Sequence, residues 1–566
     1  MIPRTLLALG LGFAALPLAS TPTTAATAPP TPKLIVAISV DQFSANLFDQ
    51  YRGRFTAGLK KLQAGVVYPN GYQSHAATET CPGHATILTG RHPAATGIVA
   101  NGWYDRASSS AMYCMADPAG PVPGRPDAPR GPANMKASTL GEWLKAANPA
   151  SRTFAVSGKD RGAITMAGHG ADGTFWWDDS VGGFTTYVPV GTTAESRLAP
   201  VAAYNKALFA TWLKKAPAWT PLDKRCNFGR GPHTYGGLTV DHEVPPAGWT
   251  APPPGVSFAA DTDFRKWFRA TPNYDQLALD LAAQLIDSQK LGRGDAPDVL
   301  AISLSATDYV GHRYGAGSPE QCDNLAHLDA GLGAFLAKLE ALKVPLIVVL
   351  TADHGAIDAA ERAAEQGVPA ARVSGDALMA SVGAAVAKTL KLDYSPLTGD
   401  PYEIYVVPFG DDSPAAIKAI TNATIAELRK STEHPEVFAV YTQAEALAAM
   451  PPKGLPVDEW TPLQRIAAST DKERSGDIMA VLRPYTTLGD PQGPGDTIAG
   501  HGSLWNYDRR VPIVFWWPGA DGFEQALPIE TVDIAPTLAA VAGIKPPVVD
   551  GRCLDLDRTK ATTCPR

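Results

Sequence analysis

The sequence predicts an α/β fold, with a mostly parallel central sheet flanked by helices and insertions forming a cap. Three observations carry this. Continuous apolar runs at 33–40, 298–307 and 344–351 suit central strands covered on both faces. Helical patterns separate these runs, as the crossovers of a parallel sheet require. Each run leads into an acidic residue, Asp41, Asp308 or Asp353. Open α/β sheets bind ligands at the carboxyl ends of their strands, so the three carboxylates are expected in one cleft.

The bulk properties agree. A chain of 566 residues allows several domains or one large domain with insertions. Hydrophobic residues make up 45%, ample for a buried core, and the net charge is −7 with Lys and Arg scattered, so no nucleic-acid partner is expected. Residues 1–28 read as a signal peptide. Arg4 supplies the positive start, 6–19 is an apolar run broken by Gly10, Gly12 and Pro17, and small residues follow, with 26–28 as one cleavage site. The run is too short to span a bilayer, and no later run is long enough. The expectation is a periplasmic or secreted bacterial protein with no membrane span after signal removal. The six cysteines contain no Cys-x-x-Cys pair, which disfavours a thiolate zinc site. An even count after export suggests disulfides. Spacing favours Cys553 with Cys564, and the other pairings stay open.

Taken in order, a helix over about 45–64 follows the first strand. The segment 78–90 comes next, Thr-Glu-Thr-Cys-Pro-Gly-His-Ala-Thr-Ile-Leu-Thr-Gly. Pro82 and Gly83 are expected to interrupt regular structure after Thr80, with a helix starting at His84. Thr80 would then sit at a helix start, a natural anion site, and is the candidate nucleophile. Residues 107–135, rich in Pro, Gly and Ser, form a first insertion. A short helix at 138–146 and a strand at 152–157 lead to Gly158-Lys159-Asp160-Arg161-Gly162, where an extended backbone would put Lys159 and Arg161 on one side. An aromatic hairpin spans 174–187. A second insertion covers 216–256. A helix over 274–290 has Asn273 as its cap, and Ser318-Pro319 opens another long helix. Residues 356–474 form a third, α+β insertion with strands near 403–407 and 437–441. The core is expected to resume at 478–482, followed by a strand at 511–516 and a last helix at 531–541.

The chemistry-bearing residues cluster after these strands. Asp308 and His312 stand four apart, on one side if the segment is helical. Asp353 and His354 are adjacent at a strand end. His501 lies between two glycines, and Asp41 stands alone. Each signal is weak by itself, and an Asp-x-x-x-His pair is more often a solvated helix face. Together they give three Asp, three His and the Thr80 oxygen. Such an N/O set suits Zn²⁺. Seven ligands exceed one zinc and fit two, which can clamp the attacking and leaving oxygens of a phosphoryl transfer.

On Ser39-Val40-Asp41, 80–84, 97–101, Asp308 with His312, 353–355 and 500–502, the chain resembles the alkaline phosphatase superfamily. Within it the likeness is to the single-chain bacterial branch close to nucleotide pyrophosphatases/phosphodiesterases. The resemblance implies that 29–566 is one catalytic domain of that fold. It implies one zinc on Asp308, His312 and His501, and another on Asp41, Asp353, His354 and Thr80. It also implies that Lys159, Arg161 and Asn101 contact the phosphate. Two cations at the non-bridging oxygens favour a monoester, which carries more negative charge than a diester. The expected activity is zinc-dependent hydrolysis of small-molecule phosphate monoesters through a phospho-threonine on Thr80. The alternative is a phosphodiesterase or nucleotide pyrophosphatase on the same two zinc ions. A binding module without turnover is a third possibility, against which the complete ligand set and hydroxyl argue. A sulfatase is disfavoured, because Cys81 lacks the Cys-x-Pro-Ser-Arg pattern and threonine occupies the matched position. The sequence does not set the oligomeric state.

Overall fold

The computed structural model describes residues 28–212, 218–246, 262–450, 454–557 and 563–564. Except for Ala28, the expected signal peptide lies outside the described residues. So do 216–217 and 247–256 of the second insertion and 451–453 of the third.

Nine strands form the main sheet: β1 (Leu34–Val40), β2 (Val66–Tyr72), β3 (Thr153–Ser157), β4 (Gly173–Asp178), β5 (Gly183–Thr185), β6 (Asp298–Leu304), β7 (Leu346–Thr351), β8 (Arg510–Trp516) and β9 (Ile529–Glu530). Their spatial order is β9-β2-β8-β7-β1-β6-β3-β4-β5. The block β7-β1-β6-β3-β4 is parallel, while β8 and β5 pair antiparallel at its two ends. The continuous apolar run of β1 has a direct cause. Leu34, Val36, Ile38 and Val40 enter one core, and Ile35 and Ala37 enter another on the opposite face. Helices Pro272–Ser288 and Pro319–Ala341 cover the first face. Helices α1 (Thr80–Thr89) and α2 (Asp160–Ala167) cover the second. Two further helices matter below, α3 (Thr262–Arg269) and α4 (Ala306–Tyr314).

Several local expectations need correction. The helix expected over 45–64 is two short helices, Ala45–Tyr51 and Gly58–Leu62. The chain breaks around Gly53, and Asp329 accepts from the N–H groups of Thr56, Ala57 and Leu59 at 2.7–2.9 Å, which starts the second helix. Strand β2 was not anticipated, because Pro69 and Gly71 disguise it. The helix expected at 274–290 starts at Pro272, with Thr271 rather than Asn273 as its N-cap. Ser318 does cap its helix, accepting from Gln321 N–H at 3.0 Å. The segment 478–482 does not resume the main sheet. Ile478–Leu482 instead joins Leu397–Asp400, Glu403–Val406 and Val437–Thr442 in a separate four-stranded sheet. That sheet packs with helices Gly375–Leu390 and Pro414–Leu428 around a core that includes Leu378, Val382, Ile404, Ile420 and Ile478.

Three disulfides are present: Cys81–Cys114, Cys226–Cys322 and Cys553–Cys564. Cys81, unexplained by its neighbours in sequence, ties the start of α1 to the first insertion. Among the described residues no helix is long and apolar enough to cross a membrane.

Candidate metal centre

The three carboxylates arrive on neighbouring strands. Asp41 follows β1, with its N–H bonded to the Leu304 carbonyl at the end of β6 (2.8 Å). Asp353 lies two residues past β7. Asp308 is not at the strand end as expected, because β6 stops at Leu304 and Asp308 sits in the first turn of α4. That helical turn carries the four-residue spacing, and His312 Nε2 lies 3.1 Å from Asp308 Oδ1. His501 Nε2 approaches the same oxygen at 3.5 Å. His354 Nε2 lies 3.3 Å from Asp41 Oδ1 and 3.4 Å from Asp353 Oδ2.

Each of these histidines is held from behind. Nδ1 of His312 lies 2.7 Å from the Ala499 carbonyl, that of His501 2.7 Å from the Thr78 carbonyl, and that of His354 2.9 Å from the Gly355 carbonyl. A carbonyl only accepts, so Nδ1 carries the proton and a neutral ring keeps its lone pair on Nε2. All three Nε2 atoms face carboxylate oxygens. Asp41 Oδ1 and His354 Nε2 are buried without a hydrogen-bond partner. Buried polar atoms turned on one another in this way call for a cation between them.

Ligand atoms of Asp41, Asp353 and His354 lie within 4.8 Å of one another, as do those of Asp308, His354 and His501. His354 thus belongs to both groups, its ring stacked on that of His501 with centroids 3.6 Å apart. His312 joins through Asp308. The N/O donors fit divalent zinc or a similar ion.

The electrostatics report the same demand for positive charge. Burial and the neighbouring Asp308 and Asp353 raise the Asp41 pKa. Burial would lower that of His354, but Asp353 and Asp41 outweigh it and push it up to about 9. His501, buried beside His354, is pushed down to about 3. Lys159 answers part of the demand, with Nζ 2.5 Å from both Asp41 Oδ2 and Asp308 Oδ2.

Thr80 is the first residue of α1 and is buried at the helix N-terminus. The helix does not wait for His84. Pro82 fits its first turn, where no N–H is needed. A Cβ at Gly83 would run into the Asp353 backbone carbonyl, so glycine lets α1 approach the carboxylate loop. Cys81 N–H donates to Asn101 Oδ1 at 2.8 Å, and Asn101 N–H donates to Glu79 Oε2 at 2.6 Å. This fixes the Asn101 amide beside Thr80 with its NH₂ as the donor end. Lys159 and Arg161 are not alternate residues of an extended segment. Lys159 is the N-cap of α2 and Arg161 lies in its first turn, so a helix start presents both. Arg161 Nε is buried without a hydrogen-bond partner.

Sequence reasoning passed over Gln42 and Tyr309, whereas His84 reads from the sequence as a supporting residue rather than a ligand. Gln42, with φ of 68°, donates its N–H to Asp353 Oδ1 (3.1 Å) and its amide to Asp308 Oδ1 (2.7 Å). His84 Nδ1 lies 3.0 Å from Asp353 Oδ2, and its Nε2 is 2.9 Å from Ser303 Oγ. Tyr309 lies under Lys159, whose Nζ is 4.7 Å from the ring centre. Adjacency to Asp41 and to Asp308 was the only sequence signal for Gln42 and Tyr309.

A family model described as type I phosphodiesterase / nucleotide pyrophosphatase matches residues 35–504. Alkaline phosphatase PhoD of Zymomonas mobilis is 42% identical over 551 residues, covering 94% of this chain and 89% of that protein. Alkaline phosphatase PhoK of a Sphingomonas species is 40% identical over 546 residues, covering 94% and 92%. The crystal structure of alkaline phosphatase PafA superposes with a TM-score of 0.78 at 26% identity, over 93% of this chain and 99% of that one.

Proposed function

The chain belongs to the type I phosphodiesterase / nucleotide pyrophosphatase family, and we propose that it is an exported alkaline phosphatase, a phosphoric monoester hydrolase that works with two zinc ions and a phospho-threonine on Thr80. The observation that carries this is the set of three histidines, each with Nδ1 on a backbone carbonyl and Nε2 turned on buried carboxylates. Two relatives at 40–42% identity over most of the chain are alkaline phosphatases, which supports the monoesterase reading.

Two divalent metals held by Asp41, Thr80, Asp308, His312, Asp353, His354 and His501 would lend acidity to a hydroxyl or water and neutralise a leaving oxygen. The chain's own groups do the rest. Thr80 gives up its hydroxyl proton to solvent and its oxygen attacks phosphorus, while the ester oxygen departs with its bonding pair and takes a proton from water to become the alcohol. The helix N-terminus of α1 places N–H dipoles behind the attacking oxygen. Asn101, Lys159 and Arg161 hold the non-bridging oxygens, on which charge accumulates in the transition state. Water then attacks phosphorus, the P–O bond to Thr80 breaks, and inorganic phosphate leaves. Gln42 and His84 hold Asp308 and Asp353 in place. Export is supported by the leader-like residues 1–28 and by the three disulfides.

The family model also covers phosphodiesterases, so the rival activity is diester hydrolysis on the same centre. Initial rates on an aryl phosphate and a bis-aryl phosphate separate the two. The monoester is expected to react faster. Lys159→Ala and Arg161→Ala are expected to lower monoester turnover by roughly 10²-fold or more and diester turnover far less. A faster diester, or equal losses on both substrates, refutes the assignment.

A further inference from the structure

Around Lys159 and Arg161 a cleft of about 460 Å³ opens, and the transfer chemistry above uses only those two of its cations. Its lining holds five arginines and one lysine against three aspartates, in a chain whose net charge is −7. Arg125 and Arg130 come from the first insertion, Arg265 and Arg269 from α3, and Arg161 stands between them and the reaction site. We propose that this cleft holds a second anionic group of the substrate, so that the enzyme prefers phosphate monoesters carrying a further phosphate over those with a neutral tail. The proposal rests on the monoesterase reading and deepens it.

The arginines are held in place rather than loosely solvated. Arg125 pairs with Asp178 through Nη1 at 2.8 Å and with Asp127 through Nε at 3.3 Å, Arg130 Nε with Asp160 at 2.7 Å, and Arg269 Nε with Asp179 at 3.0 Å. A guanidinium has five N–H donors, more than these pairs occupy. The aspartates therefore orient the arginines without consuming them, and fixed donors bind an anion at lower entropic cost. Aromatic rings add support. Arg130 lies 4.5 Å from the Tyr113 ring centre, and Arg269 lies 5.3 Å from that of Tyr309. The insertion is itself anchored to the site. Tyr113 OH donates to Asp160 Oδ1 at 2.6 Å in the first turn of α2, and the next residue, Cys114, is bridged to Cys81 beside Thr80. The first insertion thereby becomes one wall of an anion cleft contiguous with the phosphate site. Arginines discriminate by tail charge, because a neutral tail gains nothing from them and their remaining donors match the oxygens of a phosphate.

The test uses butane-1,4-diol monophosphate and bisphosphate as matched substrates. The wild-type kcat/KM is expected to favour the bisphosphate at least tenfold, beyond the factor of two from its two equivalent ends. In Arg125→Gln/Arg130→Gln the preference is expected to shrink to that statistical factor while the monophosphate rate holds. A wild-type ratio near two, or an unchanged ratio in the double variant, overturns the proposal. Binding gives a reading independent of turnover. On Thr80→Ala, butane-1,4-bisphosphonate is expected to bind at least tenfold tighter than butylphosphonate by calorimetry, and raised salt should close the gap. Equal affinities overturn the cleft assignment even if monoesters are hydrolysed. Absence of monoester hydrolysis with tight bisphosphonate binding refutes the proposed activity and leaves the cleft standing.

Discussion

The parallel block β7-β1-β6 and the regions around it obey different rules. In the block, local sequence determines almost everything. An apolar run buried on both faces forms a strand, its carboxyl end opens on the cleft, and the next acidic residue becomes a candidate ligand. Around it, the four-stranded cap sheet, the first insertion and α3 are assembled by long-range contacts: the Cys81–Cys114 bridge, the Arg130–Asp160 and Arg269–Asp179 pairs, and a cap strand contributed from beyond residue 474. The difference implies a division of labour. Substitutions at the carboxyl end of the block, and at the start of α1 packed against it, should remove chemistry while sparing the fold, and substitutions around them should change stability or selectivity while sparing chemistry.

The largest effect tests the first half. Thr80→Ala is expected to lower monoester turnover by roughly 10⁴-fold or more, with melting temperature little changed, because the role proposed for the hydroxyl is chemistry and not packing. Parallel rate and calorimetric measurements check this. A strongly lowered melting temperature would break the division. Metal removal comes next. Chelation is expected to abolish turnover and also to lower the melting temperature, since Asp41, Asp308 and Asp353 then face one another with Lys159 as the main remaining counter-charge. Zinc should restore both, and a chelated enzyme of full activity contradicts the centre.

The second half is tested at the seams. Cys114→Ser opens a disulfide with a sequence separation of 33, and a bridge of that span stabilises by about 4 kcal/mol. Denaturant unfolding is expected to show that loss, with turnover on an aryl phosphate within a few fold of wild type. The smallest effect concerns Glu403, in the cap strand facing the core. Burial raises its pKa from 4.5 to about 8, with Asp400 and Glu79 adding to the shift. The folded protein then holds a proton that the unfolded chain releases, so this contribution is complete below about pH 4.5 and is lost as pH rises through about 8. Melting temperature is expected to fall less steeply between pH 6 and 9 in Glu403→Gln than in wild type. Identical slopes would remove Glu403 from the seam's pH response.

Legibility in the sequence follows the same divide. Strand β1, the helix opened by Ser318-Pro319 and the aromatic hairpin at β4 and β5 were readable from pattern and cap residues, because their causes are local. The Asp308–His312 pairing was readable because it needs only helical spacing. Strand β2 was hidden by Pro69 and Gly71, whose context as a strand lies in its neighbours. The membership of Ile478–Leu482 in the cap was hidden because an apolar run does not say which sheet it joins. At the site, the seven proposed metal-ligating residues stood out by chemistry, whereas Gln42 and Tyr309 act through contacts that exist only after folding. The geometry of Lys159 and Arg161 was misread for the same reason, since a helix starts between them. The arginine cleft draws on two separated segments and α2, and no single window of sequence contains it.

The central claim is that Thr80 carries the phosphoryl group during turnover. Acid quenching of the zinc-loaded enzyme during steady-state hydrolysis of an aryl phosphate, followed by peptide mass spectrometry, tests it directly. The account predicts a phosphorylated peptide containing 78–90 with the phosphate on Thr80, absent in Thr80→Ala and absent without substrate. Full turnover with no phosphate on Thr80, or with phosphate on another residue, would contradict it.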